Sequence, residues 1–556
     1  MLFHSLQFLF FLPLVFFLYW NMAKSKKARL WLLFAASMIF YMAWNPAPVV
    51  LILYLSTTDF FLAQLLGRKD FKAKKRKLFI TISVTNNLAV LGVFKYADWF
   101  TQIVVDTFGL FGVELIYKPL GLVLPVGLSF VVFQCMSYTI DVYREELSPR
   151  KSWLEVTTYI AFFPQVVAGP IVRAADFLPQ MDKEPQLPEH AGGIALYRIA
   201  MGMFKKLIIA DMLAANLVDR VFTQPENYTG LEVMAAVFCY TVQIYYDFSA
   251  YSDIAIGVAA LFGFHIKENF DKPYLSANLF EFWRRWHISL GAWLRDYLYI
   301  PLGGNRKNKF RVCWNLWVTM ILGSVWHGAD WRFVVWGVIH GVALIWNRVW
   351  WWVFGRPAPN RSFFIKLGTG LLTFFIVMEA RIVFRAENIQ IAWHVFLEQG
   401  RFLPSSEALL PLSLMLGIFC GLSFMFYLAS QAAYAWFYRL PLHPRLPLKV
   451  FFAMATVFFC LQTGIFLDLP LLSPGNTDLT VFNMENYAAP NLTPLVLSVM
   501  FLATVGHMIP HGFYKWLGEG FVVLPIPARA FCLVILALLV KQVLSFEVQP
   551  FIYFQF

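Results

Sequence analysis

Long apolar runs separated by short basic loops fill this chain, and run length together with spacing predicts helices rather than strands. The runs fall at 6–21, 29–45, 48–66, 78–94, 120–143, 193–210, 231–262, 312–327, 333–353, 367–385, 410–432, 449–467, 494–512 and 528–546. Most hold about 17–22 residues, enough for a helix to cross a hydrocarbon core of roughly 30 Å. Two stretches break the pattern. YIAFFPQVVAGPIVR (159–173) carries Pro164, Gly169 and Pro170 inside an apolar run. DKPYLSANLFEFWRRWHISLGAWLRDYLYIPLGGNRK (271–307) is amphipathic and rich in Trp, Tyr and Arg. Irregular backbone at membrane depth persists only where protein or a cavity satisfies its polar groups. Both stretches therefore either bury themselves in the protein or lie at the cytoplasmic interface. For the second, an interfacial helix with aromatic anchors and snorkelling arginines is the plain alternative.

Composition agrees with a membrane protein. Apolar residues make up 59% of the chain and charged residues 14%, against about 45–50% and 25% in soluble domains. The expectation is one all-α, polytopic integral membrane domain over 1–556. The basic residues cluster at 24–29, 68–77, 144–151, 306–311, 348–366 and 439–449, and the positive-inside bias assigns these loops to the cytoplasm. The loops near 386–408 and 469–493 are poorer in Lys and Arg and are expected outside. The first run has its basic cluster after it and no A-x-A site, so it reads as an uncleaved span with its N-terminus outside. The net charge of +12 sits in these short loops, not on a basic helix interleaved with exposed aromatics, which argues against nucleic acid. None of the six cysteines forms a C-x-x-C pair, so neither a disulfide framework nor a metal site is expected.

Ionisable groups inside apolar runs are expensive and become functional candidates. Asp247 and Asp253 lie in YYDFSAYSDIAIG (245–257). Six residues apart, they are expected on opposite helix faces, which speaks against a carboxylate dyad. Asp247 then accepts hydrogen bonds from a neighbouring helix or pairs with an arginine near 284–295. WRRWHISLGAW (283–293) and SVWHGADW (324–331) each set a histidine beside a tryptophan, in a chain with only 10 histidines. His327 follows the basic loop 306–311 by about fifteen residues, roughly 22 Å of helix, which puts it toward the outer side. His287, beside Arg284 and Arg285 and before Arg295, falls toward the inner side. The two would mark the ends of one path. Hydrogen-bonded packing is the alternative for each, although Gly328 and the flanking tryptophans favour a shaped, open site at His327. An imidazole can take a proton from a hydroxyl near neutral pH, so acyl transfer from a thioester would suit such a path. No G-x-S-x-G, H-E-x-x-H or G-x-x-x-x-G-K-[ST] motif occurs. In LGGNRK (302–307), an ordinary turn competes with a weak phosphate cradle.

The chain resembles the membrane-bound O-acyltransferase (MBOAT) family, in particular its bacterial polysaccharide O-acetyltransferase branch, which includes alginate O-acetyltransferases. The resemblance rests on LPVGLSFVVFQCMSYTIDVYR (124–144), FFPQVVAGPIVRAADFLPQM (162–181), YYDFSAYSDIAIG, FWRRWHISLGAWLRDYLYIPLGGNRK (282–307), SVWHGADWRFVVWGVIHG (324–341) and the terminal FIYFQF. The core motifs cover about 120–345, with further transmembrane helices over about 364–546. It implies a ring of helices around a thinned central tunnel, with re-entrant and interfacial helices. The family's near-invariant histidine falls on His327 and its second motif histidine on His287, both catalytic candidates. On this reading Arg284, Arg285, Trp286, Ser289 and Arg295 line or orient the donor path. Asp247, Asp296, Trp326 and Gly328 give structural support. The donor substrate would be acetyl-CoA or an acetylated carrier protein, with no bound cofactor. The acceptor would be an exported, alginate-like polysaccharide, with cellulose or peptidoglycan as alternatives, at the bacterial inner membrane. The expected outer loops are too short to form a domain, which takes about 50 residues, and a hydrated polymer would lose its hydration inside the bilayer. A serine on a separate periplasmic or membrane-anchored transferase is therefore the expected intermediate acceptor. A transporter or flippase would reuse the same buried polar groups without chemistry, but such proteins usually show paired halves, and no repeat is visible.

Overall fold

The computed structural model describes residues 1–357, 363–400 and 491–543, apart from His4, Trp44 and Ala168. The spans expected at 410–432 and 449–467, most of the loop expected at 469–493 and the terminal FIYFQF lie outside the described residues. Every regular element among those residues is helical. Four helices are long and apolar enough to cross a membrane: Val49–Leu66, Ala73–Leu110, Trp331–Phe354 and Ile365–Arg385. Pro494–Met508 and His511–Val523, bent by 98° at their junction, make a fifth if counted as one span. The run read as 494–512 is therefore broken. The run read as 120–143 is helical only over Leu128–Tyr143.

At the centre stands the 32-residue helix Gly230–Leu261, called α1 here, and almost all of it is buried. A capping box starts it: Glu232 N–H donates to Thr229 Oγ1, and Glu232 Oε2 accepts from Thr229 N–H at 3.0 Å. Its main neighbour is α2, Glu189–Phe204. The two approach closely because a Cβ on Gly202 would lie 2.8 Å from Ala250 O, and one on Gly257 2.9 Å from Ala195 O. Small residues at a crossing let two backbones touch.

The 159–173 stretch is not a span. A helix, Trp153–Ala161, ends there and the chain turns inside the protein, with Phe162, Phe163 and Val166 wholly buried. Side chains satisfy its backbone: Ser37 Oγ accepts from Phe163 N–H (3.1 Å), Ser289 Oγ accepts from Ile171 N–H (3.0 Å), and Tyr159 donates to Val172 O (2.7 Å). The 271–307 stretch is also internal. It forms α3, Leu279–Arg285, and α4, Ile288–Leu294. Between them the backbone breaks at His287, which adopts the left-handed conformation (φ 43°). Phe282, Trp286, His287 and Trp293 are buried, so the interfacial alternative does not hold for Trp286 and Trp293.

The loops at 24–29, 68–77 and 144–151 gather on one face. Lys26 pairs with Glu155 (2.6 Å) and Asp182 (2.7 Å), Arg150 with Asp182 (2.7 Å), and Arg76 with Glu145 (2.6 Å). In 302–307 the turn reading holds. Gly303 and Gly304 have positive φ, and Asn315 donates to Gly304 O.

Candidate functional site

His327 lies just past the C-terminus of helix α5, Lys309–Val325, where orphan carbonyls need donors. A second helix supplies them. A π-helical turn, Gly92–Tyr96, interrupts the Ala73–Leu110 helix. Lys95 Nζ donates from it to Trp326 O (2.6 Å) and His327 O (2.8 Å), and Tyr96 donates to Val325 O (2.8 Å). Gly328 follows. A Cβ there would lie 2.0 Å from the Phe333 ring, so this glycine admits tight packing and does not open the site as its sequence position suggests.

The imidazole of His327 meets Trp326 (5.0 Å between centroids), Trp336 (5.6 Å) and Phe384 (5.4 Å). Trp326 also meets His287, at 6.4 Å. The two histidines thus flank one indole and do not sit at opposite ends of a path. Helix length along α5 misled that estimate because α3 and α4 carry His287 inward to meet it.

Asn269 fixes the state of His287. Its Oδ1 accepts from Ser289 N–H (3.2 Å) and from Ser289 Oγ–H (2.9 Å), and lies 3.2 Å from His287 Nδ1. An oxygen that accepts from a backbone N–H also accepts from the imidazole, so Nδ1 carries the proton and Nε2 is the basic nitrogen. Ser289, expected on the donor path, is committed to this network and to Ile171.

Trp326 stacks on Phe133 (5.2 Å), Phe133 on Trp293 (3.8 Å, 3° between planes), and Trp293 meets Tyr297 (5.1 Å). Arg144 and Arg173 lie over the Tyr297 ring, at 5.3 and 5.2 Å. This aromatic line joins the basic face to His327. At the rim, Asp296 pairs with Arg173 and Arg295. Arg284 is exposed, and Arg285 pairs with Glu281 (2.7 Å). Neither reaches the histidines. Beside His327 a small recess is lined by Lys95, Gly127, Ser129, Phe130, Trp326 and His327 itself.

Asp247 meets a neighbouring helical segment, the first of the two expectations for it. Lys206, on a π-helical turn after α2, lies 2.8 Å from Asp247 and 2.7 Å from Asp211. Asp253 takes Arg198 (2.8 Å) and Lys205 (2.6 Å). Both aspartates thus use cations of one neighbouring segment. Six residues along a helix rotate the face by about 120°, not 180°.

Arg381 and His340 escape the sequence reading. Arg381 lies on α6, Phe363–Arg385, and is 1% exposed. Its guanidinium carbon is 4.2 Å from the Trp286 ring centroid, 5.9 Å from that of Trp336 and 5.7 Å from that of Phe384. Tyr274's hydroxyl faces it. No carboxylate among the described residues pairs with it, and Nε and Nη2 have no acceptor there. Cation–π contact contributes about 0.5–2 kcal/mol, against several kcal/mol to bury an ion. His340 is fully buried between Trp283 (5.2 Å) and Trp336 (4.8 Å). The indole N–H groups of Trp283, Trp326 and Trp336 also lack acceptors among the described residues. A charge inside an apolar run is the signal that could have found Arg381.

Comparison with known proteins extends the picture. The profile of the membrane-bound O-acyltransferase family matches residues 2–384. The chain is similar to a probable alginate O-acetylase of Azotobacter vinelandii, at 38% identity over 71% of this chain and 77% of that one. A probable alginate O-acetylase of Pseudomonas aeruginosa is 37% identical, over 71% and 74%. A peptidoglycan O-acetyltransferase of Helicobacter pylori is 33% identical, over 71% and 79%.

Proposed function

The chain belongs to the membrane-bound O-acyltransferase family and is a multi-pass acyltransferase, and from that premise we propose that it moves acetyl groups across the bacterial inner membrane for O-acetylation of an exported, alginate-like polysaccharide. The relatives' names support acetyl as the group and a cell-surface polymer as its destination. One observation carries the route: Trp326, in contact with His327, ends an aromatic line from the basic face and also lines a recess that His327 borders. An anionic thioester donor, acetyl-CoA or an acetylated carrier protein, docks at the basic face. Its acetyl end reaches the Trp326 indole, where His327 takes the proton of an acceptor hydroxyl entering from the recess. His287, oriented through Asn269, supports the same centre. Trp286 acts in this reading as a wall of the site, while Arg284, Arg285 and Arg295 act on the donor only at the rim.

A hydrated polymer would lose its hydration inside the bilayer, so the first acceptor is a serine on a periplasmic or membrane-anchored partner transferase. The test is reconstitution in vesicles with acetyl donor inside, polymer outside and no second protein. Slow loss of donor without polymer acetylation is expected. Robust acetylation of the polymer would show that the partner is unnecessary.

A further inference from the structure

An acyl transfer needs more than a base. When a hydroxyl oxygen attacks the thioester carbonyl carbon, the C=O electron pair moves onto oxygen, and that oxyanion must be held. His327 cannot both accept the hydroxyl proton and hold the oxyanion. Donors without acceptors among the described residues stand nearby: the guanidinium of Arg381 and the indoles of Trp326 and Trp336. In native proteins, roughly 90% or more of buried polar groups find a partner. Several donors without acceptors, gathered around one imidazole, point to an oxygen-bearing ligand. Arg381 is the charged one. It shares Trp336 and Phe384 with His327 as common walls, and its guanidinium carbon lies 4.2 Å from the Trp286 ring centroid.

Resting on the acyl-transfer reading above, we propose that Arg381 is a catalytic residue whose free N–H groups hold the oxyanion of the tetrahedral intermediate formed beside His327. The steps balance. The acceptor oxygen bonds to the carbonyl carbon, its proton passes to His327, and the negative charge settles on the former carbonyl oxygen against Arg381. Collapse re-forms C=O and breaks C–S. The thiolate leaves and takes the proton from the His327 imidazolium. Contacts with Trp286, Trp336 and Phe384 hold the guanidinium in place beforehand, so little reorganisation is needed as the charge develops.

The test uses the full-length protein in lipid nanodiscs with acetyl-CoA, following thiol release for wild type, His327→Ala, Arg381→Ala and Arg381→Gln. Loss of an oxyanion donor typically lowers kcat about 10²–10³-fold. The expectation for both Arg381 variants is a fall of that order with KM for acetyl-CoA nearly unchanged, and partial recovery of Arg381→Ala by added methylguanidinium. Arg381→Gln keeps side-chain length and serves if Arg381→Ala does not elute as folded protein. An unchanged kcat, or a raised KM with kcat retained, overturns the assignment while His327-dependent release still supports acyl transfer. Release that is absent in wild type with acetyl-CoA and also with an acetylated carrier protein as donor, or equal in His327→Ala, overturns the acyl-transfer reading and this assignment with it.

Discussion

Two buried polar clusters share the interior and are built on opposite principles. Around Asp247, Lys206 meets two carboxylates, Asp211 and Asp247, within 2.8 Å. Around His327, the cation Arg381 meets aromatic faces, and no carboxylate among the described residues answers it. The first cluster is closed, because its charges face one another between α1 and the segment after α2. The second has donors to spare. A closed cluster holds helices in register, whereas an open one is shaped for something that arrives. The sequence shows charged residues in apolar runs in both cases, and only the pairing tells them apart.

Breaking the closed cluster should cost stability rather than chemistry. Lys206→Met takes the cation away from two buried carboxylates, and removing one member of a buried ion pair typically costs about 3–5 kcal/mol. Thermal unfolding in detergent should show that loss. Lys206→Met with Asp211→Asn and Asp247→Leu should recover most of it, and no recovery would mean that the charges do more than hold the helices. Ser289 sharpens the contrast from the His287 side. Ser289→Ala removes the acceptor for Ile171 N–H, and an unsatisfied buried donor costs about 1–3 kcal/mol. The folded variant should keep its KM for acetyl-CoA, and a several-fold rise in KM would place Ser289 on the donor path.

The smallest effect is expected at the rim. Burial works to raise the pKa of Asp182, but hydrogen bonds from Lys26 and Arg150 outweigh it and hold the carboxyl below its usual range. A depressed folded-state pKa stabilises above the unfolded value, ~3.9, and that stability is lost as pH falls through the folded-state pKa. The Asp182 side chain is 45% exposed, so Asp182→Asn should cost less than about 1 kcal/mol at neutral pH. The difference from wild type should vanish in acid, and a gap that widened there would contradict the pairing.

Much of this architecture was legible in the sequence. The alternation of apolar runs and basic loops marks most helices, and the Pro-Gly breaks in 159–173 mark buried irregular backbone. WRRWHIS and SVWHGAD draw attention to the two histidines. Their meeting around Trp326 was not legible, because periodicity says nothing of how a broken helix pair turns inward. Lys95 and Lys206 were hidden for a related reason. Each sits on a π-helical turn, where one extra residue rotates the side chains that follow away from the 3.6-residue register. Asn269 lies in a loop with no motif around it. Arg381 and His340 were visible as polar residues within apolar runs, but Asp247 and His327 drew the attention they shared.

The central claim is that the open cluster is where the acyl group changes hands, and His327 tests it most directly. His327→Ala should be compared with wild type in cells at matched protein level and membrane insertion, reading the O-acetyl content of the exported polymer. Losing a general base typically costs about 10²–10⁴-fold, so acetylation should disappear. Full acetylation, or a loss of only a few-fold, would make His327 a packing residue and place the chemistry elsewhere.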